Sequence, residues 1–387
     1  MEYPFNAKIA SAINERRRFF HVAGKFGFTA AIAGLGAGVM YSEEAMAQVA
    51  REEKERESRA KYQVIMATEY VPGASRAYPM MQLDYKENLQ NFSNGQLYIK
   101  LAPGGQLGVG GALVSKVQNG TIAIAMHSIS NFSPFAPAVD LINIPYWCGR
   151  NQEFVNLVTS NAWREKVHTG IEAKGFKPLM YVCIDPRTVA IRKGLRDTPV
   201  SVPDDIAGIK FRVPSSKVLQ TFYQLAGANP TPVAWGETTS AMKQGVADAL
   251  DPSLQALLIF GFAETLFSIS AIRSVPDSQI YSCNKKWFDE MPKNIQAAIM
   301  DASEVTFRQN LARVPASRAY SIDQLKGAGV NIHMLTDDQI GQWAERCGYQ
   351  LPAWDAMKVE FAGSLKDFDV LFEAARTQGN YYVDDAV

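Results

Sequence analysis

The stretch that decides the fold is Ala207-Gly-Ile-Lys-Phe-Arg-Val-Pro-Ser-Ser216. Its apolar residues share one face of a short strand, and Lys210 and Arg212 share the other, because side chains alternate along a strand. Serine after proline is favoured at a helix start, so the strand is predicted to lead directly into a helix that ends at Gly227. The planar guanidinium of Arg212 suits a carboxylate, since it donates two parallel hydrogen bonds. The alternative is a surface arginine on an edge strand.

Strand and helix signals alternate on both sides of this stretch. On its N-terminal side, strands are predicted at 61–67, 97–101 and 122–126 and helices at 74–91 and 113–118. Around and beyond it, strands are predicted at 177–184, 188–191 and 231–233, a helix at 237–244, and long helical patterns at 292–326 and 337–375. This order predicts a mostly parallel sheet covered by helices. Two such α/β halves separated by extended segments fit a two-lobed protein with a cleft.

Length and composition agree with two domains and restrict the function. The chain has 387 residues, too many for one ordinary domain, and 47% of them are hydrophobic. Lys plus Arg and Asp plus Glu each number 39, so the formal net charge is zero. Nucleic-acid binding is therefore not expected, because it needs a basic surface. The mean hydropathy of −0.12 argues against a protein with many membrane spans.

The N-terminal residues are typical of an export signal. Arg16-Arg-Arg18 precedes two phenylalanines, a Gly-diluted apolar run covers 26–40, and Ala45-Met-Ala47 is a small-residue cleavage pattern. This order predicts a signal of the twin-arginine type over residues 1–47. A single membrane anchor is the alternative, although the run is shorter than the ~20 residues that a spanning helix needs. The charged stretch 48–60 is expected to form a linker or a frayed helix.

No motif for covalent or metal chemistry stands out. The four cysteines form no C-x-x-C pair and have no metal-ligand spacing, so no metal or cofactor is expected and the thiols are predicted to be buried. The loop Gly104-Gly-Gln-Leu-Gly-Val-Gly-Gly111 lacks the ending of a phosphate-binding loop and is predicted to form a strand-to-helix turn. His127 ends a buried strand beside Ser128 and Asn131, where α/β proteins place ligands, but a structural role is equally compatible.

Three segments in order carry a resemblance to a known family. They are Ala207-Gly-Ile-Lys-Phe-Arg-Val-Pro214, Gly227-Ala-Asn-Pro-Thr-Pro-Val-Ala-Trp-Gly-Glu237 and Met242-Lys-Gln-Gly-Val-Ala-Asp248. Together they resemble the solute-binding proteins of TRAP (tripartite ATP-independent periplasmic) transporters, in the dicarboxylate-binding-protein group. Further matching segments, such as Val117-Gln-Asn-Gly-Thr-Ile122, extend the resemblance over residues 61–340.

The resemblance implies roles for individual residues. Arg212 matches the arginine that pairs with the ligand carboxylate, Arg187 matches a second arginine of the site, and Trp235 matches an aromatic position that packs against the ligand. Asp251 and Pro252 stand where relatives carry a Glu and a ligand-binding Asn, so the identity of the ligand stays open. The loops after the first and third strands are expected to face the cleft. They carry or adjoin Glu69, Tyr70, His127, Ser128 and Asn131.

The implied fold is an α/β, two-lobed periplasmic solute-binding protein with its ligand in the cleft between the lobes and a long helix that spans both. Residues 61–184 and about 278–318 are expected to form the first lobe, and 185–277 and about 319–387 the second. The implied function is capture of a small organic anion, a carboxylate or a sulfonate, by hinge closure in the periplasm. The implied partners are the membrane subunits of a TRAP transporter.

Two other function classes stay open at the level of sequence. One is an exported binding protein that senses its ligand for a signalling receptor. The other is an exported enzyme on a two-lobed scaffold, for which no nucleophile, base and orienting group occur together in the sequence.

Overall fold

The computed structural model describes residues 43–71 and 79–385 of the chain. The predicted export signal lies outside these residues except for 43–47, which begin helix α1 (Glu43–Arg59). The stretch expected as a linker or frayed helix is therefore helical over almost its whole length. Within the described ranges, no helix is both long and apolar enough to cross a membrane.

Five strands form the first sheet. They are β1 Tyr62–Ala67, β2 Leu97–Ala102, β3 Ile124–Ser128, β4 Phe176–Pro186 and β10 Pro276–Asn284. Their order is β2-β1-β3-β10-β4. Strands β1, β2 and β3 run parallel and are connected through helices α2 (Gln82–Phe92) and α3 (Gly110–Gln118). The helix predicted over 74–91 begins at Gln82 within the described part of the chain, and residues 74–78 of the prediction lie outside that part. Strand β10 is antiparallel to both β3 and β4, so the sheet is mixed.

Six strands form the second sheet. They are β5 Val189–Arg192, β6 Lys210–Val213, β7 Asn229–Pro232, β8 Ala249–Leu250, β9 Leu266–Ala271 and β11 Asn331–Met334. Their order is β11-β9-β5-β8-β6-β7, so β6 lies between β8 and β7. Arg212 is opposite Thr231 on one side and Leu250 on the other. The alternative of a surface arginine on an edge strand is therefore wrong.

The remaining helices cover both sheets. They are α4 Ile129–Phe132, α5 Asn151–Thr159, α6 Asn161–Trp163, α7 Thr169–Ala173, α8 Lys217–Leu225, α9 Thr238–Lys243, α10 Leu254–Ile259, α11 Lys285–Glu290, α12 Lys293–Gly327, α13 Asp337–Cys347, α14 Asp355–Ala362 and α15 Leu365–Arg376. The helix predicted after β6 is α8, and Ser216 caps it by accepting a hydrogen bond from the backbone N–H of Leu219 at 3.1 Å. The single helical run predicted over 337–375 is wrong, because Gly348 ends α13 and Gly363, at φ +100°, ends α14.

Two chain segments cross between the sheets and define the lobes. Residues 187–188 connect β4 to β5, and residues 272–275 connect β9 to β10. The backbone N–H of Arg187 donates to the carbonyl of Val275 at 2.8 Å, which joins the two crossings. These crossings confirm the predicted two-lobed fold.

Helix α12 holds the two lobes together, as predicted for a long spanning helix. It contains 35 residues and is therefore about 52 Å long. It packs on α2 and β4 of the first lobe and on α10 and β11 of the second. Arg318 of α12 donates to Asp185 Oδ1 from Nε at 3.0 Å and from Nη2 at 2.6 Å, and both residues are buried. This ion pair fixes the helix to β4 next to the crossing.

The predicted lobe bounds stay a prediction, and one group of contacts favours a different assignment at the C-terminus. Helix α15 packs on α5, and α14 packs on the 3₁₀ turn Pro137–Asn143. Both of these partners lie within 61–184, the range predicted for the first lobe. We therefore place α14 and α15 with the first lobe, while β11 belongs to the second sheet.

Candidate functional site

A cleft lies between the lobes at the strand crossings. It contains about 380 Å³ of space not filled by protein, open solvent included. Its lining residues are Tyr70, Ser128, Asn131, Asp277 and Gln279 from the first lobe, Arg187 from the crossing between β4 and β5, and Arg212, Pro214, Trp235, Pro252, Ala256 and Phe260 from the second lobe. Six of the nine predicted site residues thus lie in one cleft, and their role in binding stays a prediction.

Arg212 is a buried cation that no carboxylate of the described residues approaches within ion-pair distance. It is 3% exposed, and its Nε and Nη2 donate to the carbonyl oxygen of Val233 at 3.0 and 2.8 Å. This carbonyl orients one edge of the guanidinium and leaves Nη1 and the second hydrogen of Nη2 for another acceptor. Burial lowers the pKa of Arg212 to about 10, so the side chain stays charged at neutral pH. A buried charge of this kind needs a wet cleft or a bound anion.

Arg187 is buried in the same cleft but is held by two carboxylates. Its Nη1 lies 3.2 Å from Asp251 Oδ1, and its Nη2 lies 3.2 Å from Asp277 Oδ1. Nη2 also donates to the hydroxyl of Ser130 at 3.2 Å. Burial raises the pKa of Asp251, and the charges of Arg187 and Arg212 oppose this rise. The two arginines of the cleft therefore differ, because the charge of Arg187 is already balanced within the protein.

Aromatic side chains form a wall beside Arg212. The guanidinium carbon of Arg212 lies 5.1 Å from the ring centre of Trp235, a cation–π distance. The Trp235 ring meets Phe260 edge-on at 4.8 Å between centroids. Tyr70 of the first lobe lies 5.5 Å from Phe260 and donates its hydroxyl to Gln279 Oε1 at 3.3 Å. Tyr70 and Phe260 thus bring the two lobes into contact across the cleft.

The first-lobe side of the cleft is built on the glycine-rich loop. Gly104, Gly105 and Gly108 all have positive φ, which confirms the predicted turn between β2 and α3. Glu69 accepts from the backbone N–H of Gly110 at 3.1 Å, and Asn131 Nδ2 donates to Glu69 at 3.5 Å. A carboxylate at a helix N-terminus is stabilising, so these contacts give Glu69 a role in positioning Asn131 and α3. Burial raises the pKa of Glu69.

Three of the predicted site residues, Glu69, His127 and Asp251, do not line the cleft. His127 is 2% exposed, and its ring stacks on Phe132 at 5.6 Å within the first-lobe core. Burial lowers the pKa of His127 to about 3, so the ring is neutral. The structural role considered for His127 is therefore the one that the fold supports. Asp251 is fully buried and reaches the cleft only through Arg187.

Sequence reasoning missed several lining residues, of which Asp277 and Gln279 carry polar groups. Both lie on β10, where no strand was predicted. Because they are two residues apart, they share one face of the strand. The alternation of Asp277, Gln279 and Tyr281 after Pro276 is the signal that identifies this face. Pro214, Ala256 and Phe260 have no such signal, since apolar residues are also expected in the core.

The cleft offers polar, charged and aromatic groups to a ligand. Cys148, Cys183, Cys283 and Cys347 are all free and buried, which confirms the prediction for the thiols. Within residues 43–71 and 79–385, no cluster of three or more His, Cys, Asp or Glu side chains is placed to hold a metal ion. The groups that the cleft offers are the end of the Arg212 guanidinium that the Val233 carbonyl leaves free, amide and carboxylate groups, and an aromatic wall. These groups suit an organic acid with an apolar face.

Two α/β lobes joined by crossing strands, with a buried arginine in the cleft, define a periplasmic-type solute-binding protein. Residues 73–356 match the family of bacterial extracellular solute-binding proteins, family 7, also called DctP. The chain belongs to this family, and the predicted resemblance to TRAP solute-binding proteins is confirmed.

Similar proteins bind different acids. The chain is 25% identical over 267 residues, 69% of its length and 79% of the relative's, to the 2,3-diketo-L-gulonate-binding periplasmic protein YiaO of Escherichia coli. It is 22% identical over 269 residues, 67% of its length and 77% of the relative's, to the C4-dicarboxylate-binding periplasmic protein DctP of Rhodobacter capsulatus. A TRAP solute-binding protein from Roseobacter denitrificans, solved with β-D-glucuronate, has the same fold, with a TM-score of 0.72 and 19% identity over 82% of this chain and 100% of that one.

Proposed function

We propose that this protein is the solute-binding component of a TRAP transporter and captures a small organic acid in the periplasm for delivery to the membrane subunits. The observation that carries the proposal is the end-on face of the Arg212 guanidinium, buried and without a carboxylate partner among the described residues. The relatives' ligands, diketogulonate, C4-dicarboxylates and glucuronate, share a carboxylate that such a face binds with two parallel hydrogen bonds.

Capture follows from the position of the binding groups on separate lobes. A ligand carboxylate on Arg212 engages the second lobe, and its carbon chain lies against Trp235 and Phe260. Tyr70 and Asn131 then approach from the first lobe, so the ligand stabilises the closed arrangement by contacts that the open one lacks. Closure excludes water, which strengthens each charged hydrogen bond. Capture and release need no covalent step.

A thermal-shift screen of organic acids on the purified protein tests the proposed binding. An acid at ~100 times its Kd should stabilise the folded form by about 2.7 kcal/mol. The matched control is a neutral analogue of each acid, such as D-glucitol for D-gluconate, which should give no shift. Stabilisation by the neutral analogue as well, or by none of the acids, contradicts the proposal.

Uptake by whole cells tests the proposed delivery. Deletion of the gene should abolish uptake of the acid that stabilises the purified protein, and expression of the protein from a plasmid should restore it. Unchanged uptake in the deletion strain contradicts a role in transport and favours the alternative of a binding protein that senses its ligand for a signalling receptor.

A further inference from the structure

The cluster of Arg187, Asp251 and Asp277 places two carboxyl groups beside one guanidinium. One guanidinium lies 3.2 Å from each of two aspartates. All three residues are buried, with exposed fractions of 4%, 0% and 5%. Arg187 and Asp277 also line the cleft, so a ligand meets this cluster directly.

We propose that this cluster makes the cleft selective for singly charged, hydroxyl-rich acids over dicarboxylates, with Asp251 and Asp277 as the residues that set the preference. This inference rests on the proposed function, because it assumes that an acid binds at Arg212. It names the charge class of the ligand, which membership of the family does not determine. Diketogulonate and glucuronate carry one carboxylate, whereas C4-dicarboxylates carry two.

The two arginines of the cleft differ in the charge that they make available to a ligand. Arg212 has a carbonyl and an aromatic ring as partners, so its charge is free to balance one carboxylate. The positive charge of Arg187 is not available to a ligand carboxylate, because Asp251 and Asp277 already lie beside it. A second ligand carboxylate in this cleft would lie near the two aspartates without a cation left to balance it. Like charges brought together in a water-poor site oppose binding strongly.

The cluster also offers hydrogen-bond acceptors to a ligand hydroxyl group. Asp277 Oδ2 accepts from the backbone N–H of Ser253 at 2.9 Å, and each carboxylate oxygen has two lone pairs. Asp277 can therefore accept a further hydrogen bond from a ligand hydroxyl. Gln279 and Asn131 line the same cleft with amide groups that both donate and accept. A chain of hydroxyl groups satisfies these side chains, whereas a second carboxylate can only accept.

Matched pairs of acids test the proposal on the purified protein. In the pairs D-gluconate with D-glucarate and 4-hydroxybutyrate with succinate, a terminal hydroxymethyl group is replaced by a carboxylate. Isothermal titration into the parent compares the two acids of each pair. In a pair that binds, the affinity for the monocarboxylate should exceed that for the dicarboxylate by roughly tenfold or more. Asp277→Asn and Asp251→Asn keep the side-chain shape and should each reduce this preference by roughly tenfold, because each removes one of the two carboxylates beside Arg187.

The control variant is Asp248→Asn. Asp248 pairs with Arg192 at 2.7 Å and does not line the cleft, so this variant should leave the preference unchanged. Its loss of one negative charge is the same as in the other two variants. A general effect of net charge would therefore appear in all three.

Each outcome either supports or overturns the inference. A parent protein that binds the dicarboxylate of a pair as tightly as the monoanion overturns it and leaves the proposed function standing. Folded Asp277→Asn and Asp251→Asn variants with the parent's preference overturn the assignment of these residues. Binding of none of the four acids, together with no response in the wider acid screen, overturns the proposed function and this inference with it. If the variants do not fold, the preference of the parent protein for the monocarboxylate over the dicarboxylate alone decides whether the inference stands.

Discussion

Removing the guanidinium of Arg212 should weaken binding more than any other truncation in the cleft. In the proposed complex, the donors Nη1 and Nη2 form charge-assisted hydrogen bonds with the ligand carboxylate, and both are lost in Arg212→Ala. Truncating one partner of a buried charged pair costs ~2–5 kcal/mol, which corresponds to a loss of roughly 30-fold to several thousand-fold in affinity. The ring of Trp235, 5.1 Å from the guanidinium, also loses its cationic neighbour. We therefore expect a loss of at least ~30-fold.

The fold should tolerate this substitution. Arg212→Ala removes both hydrogen bonds to the carbonyl of Val233, whose residue is only half-buried and can be reached by water. Each net hydrogen bond contributes about 1 kcal/mol, so the free energy of unfolding should fall by roughly 2 kcal/mol or less. Arg212→Lys keeps the charge, but one ammonium cannot hold the Val233 carbonyl and form a two-pronged pair with a carboxylate. Its affinity should lie between those of the parent and Arg212→Ala.

Isothermal titration with the best acid from the thermal-shift screen measures these losses. Arg192→Ala is the matched control, because Arg192 lies on β5, is partly exposed and pairs with Asp248 outside the cleft. It should bind like the parent. If Arg212→Ala has the circular dichroism of the parent and binds as tightly, Arg212 is not the anchor, and Arg187 becomes the first candidate.

Three further predictions address other parts of the molecule. Trp235 is the only tryptophan that lines the cleft within the described residues, so ligand should change the intrinsic fluorescence and Trp235→Phe should remove most of the change; an unaltered signal in that variant contradicts the assignment. His127 has its pKa lowered from 6.5 to about 3, so the unfolded chain binds a proton that the folded chain does not, and stability present above pH 6.5 is lost as the pH falls. At pH 5 this loss is about 2 kcal/mol. Denaturant unfolding at pH 7 and at pH 5 should therefore show that the free energy of unfolding falls by about 2 kcal/mol less in His127→Gln than in the parent; an equal fall in both proteins contradicts this role of His127. Mass spectrometry of exported protein should find an N-terminus near Gln48, and replacing Arg16 and Arg17 by Lys should block export; a retained N-terminus in the membrane fraction indicates an anchor instead.

The local part of the fold could be predicted because its signals are short-range. The alternation around Arg212 and the serines after Pro214 lie within one stretch, and β6 and α8 form where these signals place them. The placement of Arg212 between two neighbouring strands was not visible locally. It depends on β7 and β8, which approach β6 from later parts of the chain.

The charge balance of the site could not be predicted, because it is a property of the assembled fold. Arg187, Asp251 and Asp277 come from three separate segments, and nothing in their neighbouring residues indicates that they meet. The long helical run over 337–375 failed for a related reason. Its apolar period continues across Gly348 and Gly363, and the position of the breaks follows from how α14 and α15 pack on other helices.

The positions of the two arginines give them different proposed roles. Arg212 contributes to closure of the lobes, and Arg187 contributes to the choice of ligand. Arg187 lies on one crossing segment and Asp277 lies on β10, two residues after the other crossing, and the N–H of Arg187 donates to the carbonyl of Val275 in that crossing. A hinge moves little when lobes rotate about it, so contacts of a ligand with these two residues are similar in the open and closed forms. Such contacts change affinity but add little to the difference between the forms that drives closure. Arg212 lies on the second lobe and Tyr70 and Asn131 on the first, so a ligand joins them only when the lobes close. We therefore propose that the acid on Arg212 drives closure and that the charges of Arg187, Asp251 and Asp277 select which acid binds.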